Sequence, residues 1–126
     1  MPSVLIDTNF IMTCVRQKID FLEQLELEGF RIIIPKQVIL ELRRVADKKN
    51  KKLKHRENAE LSIRLLEHNK DKFQSPNLGR KHVDKLIVKY AKEHPRLIVA
   101  TLDRELKKKI QNKKMTLREK KRIEVI

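Results

Sequence analysis

Asp7, Glu41, Asp84 and Asp103 are acidic residues placed where carboxylates are hard to explain unless positive charge is held between them. Asp7 ends the apolar run Val4-Leu5-Ile6, and Asp103 follows Leu97-Ile98-Val99-Ala100-Thr101, so each stands where a buried strand gives way to a helix. Glu41 falls on the apolar side of the helical pattern Val38, Leu42, Val45. Asp84 opens another, carried by Val83, Leu86, Ile87, Tyr90 and Ala91. Carboxylates brought together away from water repel one another and lose hydration, so they persist only if some are protonated or a divalent cation neutralises them. An all-oxygen donor set points to Mg²⁺ or Mn²⁺. Such an ion stabilises charge developing on a phosphate and makes a bound water more acidic, which is the chemistry of phosphodiester hydrolysis. Each acid alone has a structural reading: Asp7 or Asp103 as a helix N-cap contributing about 1 kcal/mol, Asp84 as a macrodipole partner, Glu41 as an ion-pair partner of Arg43 or Arg44. The four together favour the metal reading.

Convergence of residues so far apart requires a fold that gathers strand ends. The apolar runs at residues 4–6, 32–34 and 97–100 are short and rich in β-branched residues, as expected for parallel strands buried on both faces. Between them the period becomes helical. Ile19, Leu22 and Leu25 mark one helix, residues 38–45 a second, Leu61, Leu65 and Leu66 a third, residues 83–91 a fourth, and Leu106 with Ile110 a fifth. Gly29 suits a helix C-terminus, Pro35 a helix start, and Ser75-Pro76-Asn77-Leu78-Gly79 a loop. Residues 115–117 and 123–126 read as two short strands around a charged turn. Alternating strands and helices predict an α/β fold, and in an open parallel sheet the ligand crevice lies outside the strands' carboxyl ends, where Asp7 and Asp103 are expected.

The chain has 126 residues, and the length predicts a single domain, 1–126. Its 31 Lys and Arg outnumber 17 Asp and Glu, a formal net charge of +14 that makes a polyanion the first partner to consider. The single cysteine, Cys14, excludes an internal disulfide and a thiolate zinc site, consistent with a reducing, cytoplasmic setting. Neither a signal peptide nor a membrane-spanning run is expected. His55, His68, His82 and His94 share no ligand spacing, and with only Gly29 and Gly79 there is no phosphate-binding glycine loop.

Two tracts hold much of the basic excess: residues 43–56 carry eight Lys or Arg and residues 104–122 carry ten. Such runs are usually solvated faces, but here the overall balance is lost and contact with an RNA backbone becomes the better reading. Lys48, Lys49, Lys51, Lys52, Lys54, Arg56, Lys107 and Lys108 are the candidate RNA contacts. Residues 50–56 lack apolar periodicity and read as a mobile connection or frayed helix end. Aromatic residues make up 4% of the chain and Trp is absent, so recognition should rest on phosphates and RNA shape more than on base stacking.

These segments, in this order, resemble the PIN-domain nucleases. Val4-Leu5-Ile6-Asp7-Thr8-Asn9-Phe10-Ile11-Met12 looks like the family's first strand and aspartate, and Pro35-Lys36-Gln37-Val38-Ile39-Leu40-Glu41-Leu42 like the segment with its glutamate. Val83-Asp84-Lys85-Leu86-Ile87 looks like the third acidic segment, and Val99-Ala100-Thr101-Leu102-Asp103-Arg104-Glu105-Leu106 like the fourth. The resemblance implies a Rossmann-like three-layer sandwich with a central parallel sheet in the order 3-2-1-4-5. It also implies endonucleolytic cutting of RNA with Mg²⁺ or Mn²⁺, an acidic set of Asp7, Glu41, Asp84 and Asp103, and supporting polar groups Thr8, Asn9 and Thr101. Some relatives carry a further acid where this chain has Lys85, a difference that bears on the number of ions held. Ribosomal RNA processing is one setting the resemblance offers, and a VapC-type toxin paired with an antitoxin is another. The partners implied are RNA, an antitoxin or a ribosome-assembly protein, and a second copy of the chain. The readings that compete are a DNA-directed nuclease and a catalytically idle RNA-binding or ribosome-assembly module.

Overall fold

Hydrophobic strands that must be buried on both faces form the centre of the molecule. In the computed structural model, which describes residues 1–118 and 122–126, the elements run β1 (Ser3–Ile6), α1 (Thr8–Arg16), α2 (Phe21–Leu27), β2 (Arg31–Ile33), α3 (Lys36–Asp47) and α4 (Leu53–His68). A 3₁₀ turn (Lys70–Lys72) follows, then α5 (Val83–Glu93), β3 (Ile98–Ala100), α6 (Arg104–Lys109), β4 (Lys114–Arg118) and β5 (Arg122–Val125). The sheet order is β2-β1-β3-β4-β5, parallel except for the antiparallel β4–β5 hairpin. Val4, Leu5, Ile6, Val99 and Ala100 are fully buried. The α/β class and the helix-flanked sheet are as the sequence predicts.

The expected order 3-2-1-4-5 reappears with one strand reduced to a remnant. Gln74 makes a single parallel bridge to Ile33, with Ile34 N–H donating to Gln74 O at 2.8 Å and Gln74 N–H to Ile32 O at 2.9 Å. Counted as a strand, this edge is third in the chain and lies outside β2. Pro76, two residues on, has no N–H with which to extend the ladder. The terminal hairpin also forms as expected, with its charged turn at residues 119–121 outside the described residues.

The chain winds from β1 outward to β2, then returns through α3, α4 and α5 to β3 on the other side of β1. The direction of winding therefore reverses at β1, which opens a crevice at the carboxyl ends of β1 and β3. The helices bounding it are anchored by their apolar stripes: α3 buries Val38, Leu42 and Ala46 at a four-residue spacing, and α5 buries Val83, Leu86, Ile87 and Ala91. Asn58 Nδ2 donates to Met12 O at 3.0 Å and ties α4 to α1.

Two boundaries differ from the sequence expectation. The stretch after β1 forms two helices, broken at Lys18, which takes a left-handed φ of 60°. No Gly or Pro marks the break. In the basic segment 50–56, α4 already begins at Leu53, so Lys54, His55 and Arg56 lie in its first turn. Among the described residues no helix is long and apolar enough to cross a membrane.

Candidate active site

The backbone N–H of Asp7 donates to Ala100 O at 2.9 Å, which extends the β1–β3 pairing by one step and fixes Asp7 at the mouth of the crevice. Its side chain then turns inward. Oδ1 accepts from Thr8 N–H at 2.8 Å, capping α1, and Oδ2 accepts from the Thr101 hydroxyl at 2.9 Å. Thr101 Oγ1 accepts in turn from Asp103 N–H at 3.1 Å. Asp103 Oδ1 caps α6, accepting from Glu105 N–H at 2.9 Å and Leu106 N–H at 3.4 Å. One buried threonine hydroxyl thus couples the ends of β1 and β3, and both aspartates serve as helix caps at the carboxyl edge of the sheet.

Glu41 and Asp84 approach from the helices. Both are partly buried, Glu41 on α3 and Asp84 in the first turn of α5. Asp7 registers their presence: its pKa rises from 3.8 to about 6, above all because burial penalises the charged form, with the negative charges of Glu41 and Asp84 adding to the rise. The bonds from Thr8 N–H and the Thr101 hydroxyl oppose the shift without cancelling it. The structure therefore brings Asp7, Glu41 and Asp84 within electrostatic reach of one another. Asp103 joins them through Thr101, with one carboxylate oxygen given to its own helix.

Among the described residues no three acidic, histidine or cysteine side chains stand close enough together to cage a metal ion. The tighter convergence expected from the sequence is absent. The donor chemistry nonetheless suits Mg²⁺ or Mn²⁺, since Mg²⁺ retains several waters and takes one or two carboxylates together with substrate phosphate oxygens. Two observations favour a cation here. Asp7 is held in a site that disfavours its own charge, and the Thr8 hydroxyl beside it is buried with no hydrogen-bond partner. Asp7 together with Glu41 or Asp84 could supply the one or two carboxylates such an ion takes. Of the other supporting residues predicted from the sequence, Thr101 is buried in the coupling just described, whereas Asn9 is exposed.

The basic candidates divide. Lys48, Lys49, Lys51, Lys52 and Lys54 are exposed around the α3–α4 connection. Arg56 is used differently: half-buried, it donates from Nε to Ala46 O at 3.3 Å and braces the end of α3. Lys108 pairs with Glu105 at 3.7 Å on an open surface, and Lys107 is partly buried. Nearer the carboxylates is a feature that the sequence pattern did not single out. A cleft of about 320 Å³ is lined by Gln37, Leu40, Glu41 and Arg44 from α3 and by residues 79–83 leading into α5. Its cations include Arg44, Arg80 and Lys81. The signal in the sequence was the Arg80-Lys81 pair just ahead of Asp84, together with Arg44 one helical turn after Glu41.

This geometry has relatives. A family model described as a PIN like domain matches residues 4–120. Ribonuclease VapC4 of Methanocaldococcus jannaschii is 30% identical over 131 residues, covering 99% of this chain and 97% of that protein. Among solved structures, the PIN domain endonuclease Utp24 superposes with a TM-score of 0.77 at 26% identity, covering 98% of this chain and 90% of that one. The sheet that reverses at β1, the carboxylates at its crevice and these matches over nearly the whole length agree: the chain belongs to the PIN-domain nuclease family.

Proposed function

We propose that residues 1–126 act as one domain, a metal-dependent endoribonuclease that hydrolyses RNA phosphodiesters at the crevice formed by Asp7, Glu41, Asp84 and Asp103. The observation that carries this reading is the placement of Asp7, a buried carboxyl at the carboxyl edge of the sheet, tied to Thr101 and within electrostatic reach of Glu41 and Asp84. A family of nucleases and a ribonuclease relative support the substrate class. A bound Mg²⁺ or Mn²⁺ would supply positive charge at the reacting phosphate and make an attacking water more acidic. The chain's own groups do the rest. Asp7, pushed up to about 6 when no cation is bound, would give up its proton to take the ion and serve as its buried ligand. Thr101 orients Asp7 through Oδ2, and its link to the Asp103 backbone keeps the two strand ends in register. Exposed lysines at residues 48–54 attract the RNA backbone.

Two settings suit such an enzyme. One is a VapC-type toxin paired with an antitoxin and the other is ribosomal RNA processing with an assembly partner; the likeness to Ribonuclease VapC4 supports ribonuclease activity in either, and the likeness to the PIN domain endonuclease Utp24 supports internal cutting. A neighbouring gene for a small antitoxin, co-purifying as a complex that blocks cutting, decides for the first. The activity itself is tested by incubating purified protein with structured RNA, unstructured RNA and single-stranded DNA, each with Mn²⁺ and with a chelator. Internal cuts in RNA that require Mn²⁺ are expected. Equal cutting of DNA would broaden the substrate class, and cutting that persists in chelator would remove the role of the ion.

A further inference from the structure

The cleft beside Glu41 is built from two elements distant in sequence, and a single side chain fastens them. Gln37 lies one turn before Glu41 on the exposed side of α3, away from the Val38, Leu42, Ala46 stripe. Its Nε2 donates to Asn77 Oδ1 at 2.7 Å and to Gly79 O at 2.8 Å, while its Oε1 accepts from Leu78 N–H at 2.9 Å. Asn77 Oδ1 also accepts from Gly79 N–H at 3.0 Å, which closes the turn. Upstream, Lys36 N–H holds Pro76 O at 3.0 Å, so the loop is fastened by backbone up to residue 76 and by Gln37 over residues 77–79. Arg80 and Lys81 follow immediately, lining the cleft together with Arg44 and Glu41. None of these three cations enters an ion pair among the described residues, so their charge is available to a ligand.

We propose that Arg44, Arg80 and Lys81 grip an RNA phosphate adjacent to the one cleaved, and that Gln37 is the positioning residue that holds Arg80 and Lys81 across the cleft from α3. The proposal rests on the ribonuclease reading and names how that site takes hold of its substrate. Three cations beside one acid in a concave site favour a phosphate over a neutral or cationic ligand, and guanidinium groups suit the geometry of phosphate oxygens. A preformed grip also lowers the entropy lost on binding, because the loop is already ordered before RNA arrives.

The test is the affinity of a fluorescent single-stranded RNA across a salt titration, with the metal chelated so that binding is read without cutting. The proteins are the parent, Gln37→Met, the pair Arg80→Gln/Lys81→Gln, and all three changes together. The pair should flatten the plot of log affinity against log salt by up to about 0.7, the contribution of the one phosphate no longer neutralised. Gln37→Met should weaken binding several-fold in the parent and have little further effect once Arg80 and Lys81 are gone, since it acts through them. Gln37→Glu, which keeps the acceptor for Leu78 N–H but sets a carboxylate oxygen against Asn77 Oδ1 and Gly79 O, should weaken binding at least as much as Gln37→Met. A Gln37→Met effect that persists in full in the Arg80/Lys81 background, or a lowered Tm with unchanged RNA affinity, would give Gln37 a purely structural role and overturn its part. Unchanged affinity and salt slope in the Arg80/Lys81 pair would overturn the grip. A parent that cuts RNA while the pair binds as well as the parent leaves the ribonuclease reading standing; a parent that neither binds nor cuts RNA ends both.

Discussion

Asp7 is the residue where folding and function pull in opposite directions. Its carboxyl titrates near 6 in the folded chain and near 3.8 when unperturbed, so the folded state binds the extra proton between those values. Stability from this group is therefore fully present below about pH 4 and is lost as pH rises through 6, a difference of about 3 kcal/mol for a shift of roughly two units. Asp7→Asn should accordingly raise the Tm of the metal-free protein at pH 7.5 and leave it little changed at pH 4, as read by thermal melts at the two pH values. A lower Tm at both would mean that the carboxylate stabilises the fold. Cys14 is also buried, and burial alone pushes its thiol up to about 12. It should resist a thiol reagent in the native protein and react at once in denaturant. Much of this was legible beforehand: Asp7 and Asp103 each follow an apolar β-branched run, and that placement predicted the crevice. Thr101 and Gln37 were less so. Their roles depend on partners 94 and about 40 residues away, which no local pattern records.

At the scale of elements, the helices form where apolar spacing and local chain chemistry agree. Helix α2 ends as Gly29 predicts: Gly29 N–H bonds Glu26 O at 3.0 Å and Phe30 N–H bonds Leu25 O at 3.0 Å, with Gly29 at φ 85°. A Cβ there would meet nothing within 4 Å, so Gly29→Ala should cost only the left-handed backbone strain, about 1–2 kcal/mol in chemical denaturation. A larger loss would mean that the turn is packed more tightly than its open surroundings indicate. The break between α1 and α2 was hidden because it falls on Lys18, a residue with no turn preference, and not on a glycine. The start of α4 was hidden for a different reason. Leu53 is exposed and lysines surround it, yet the helix is held from its far side by Ala59, Ser62 and Leu66 against the core and by Asn58 on Met12 O. The strand that the sequence pattern did not reveal is a single bridge at Gln74, too short to leave a period of two.

Across the whole molecule, a sheet that gathers acids is surrounded by cations. On the proposed reading, the formal charge of +14 attracts the RNA and the acids at the carboxyl end of the sheet take the cation. These functions are separable. Replacing Lys51, Lys52 and Lys54 with Gln should flatten the salt dependence of RNA affinity by about 0.7 for every phosphate these lysines neutralise, and leave single-turnover cutting at saturating RNA nearly unchanged. Unaltered affinity would make that connection a solvated face. The acids should behave in the converse way. The most direct measurement is therefore single-turnover cutting of a saturating, internally labelled RNA in Mn²⁺ by the parent and by Asp84→Asn. RNA affinity in chelator and the thermal melt would be recorded for the same two preparations. If Asp84 helps to hold the ion, its variant should fold and bind RNA as the parent does and cut about 100-fold more slowly or worse, the equivalent of roughly 3 kcal/mol of lost transition-state stabilisation. Cutting at the parent rate by a folded Asp84→Asn protein would contradict the acidic site.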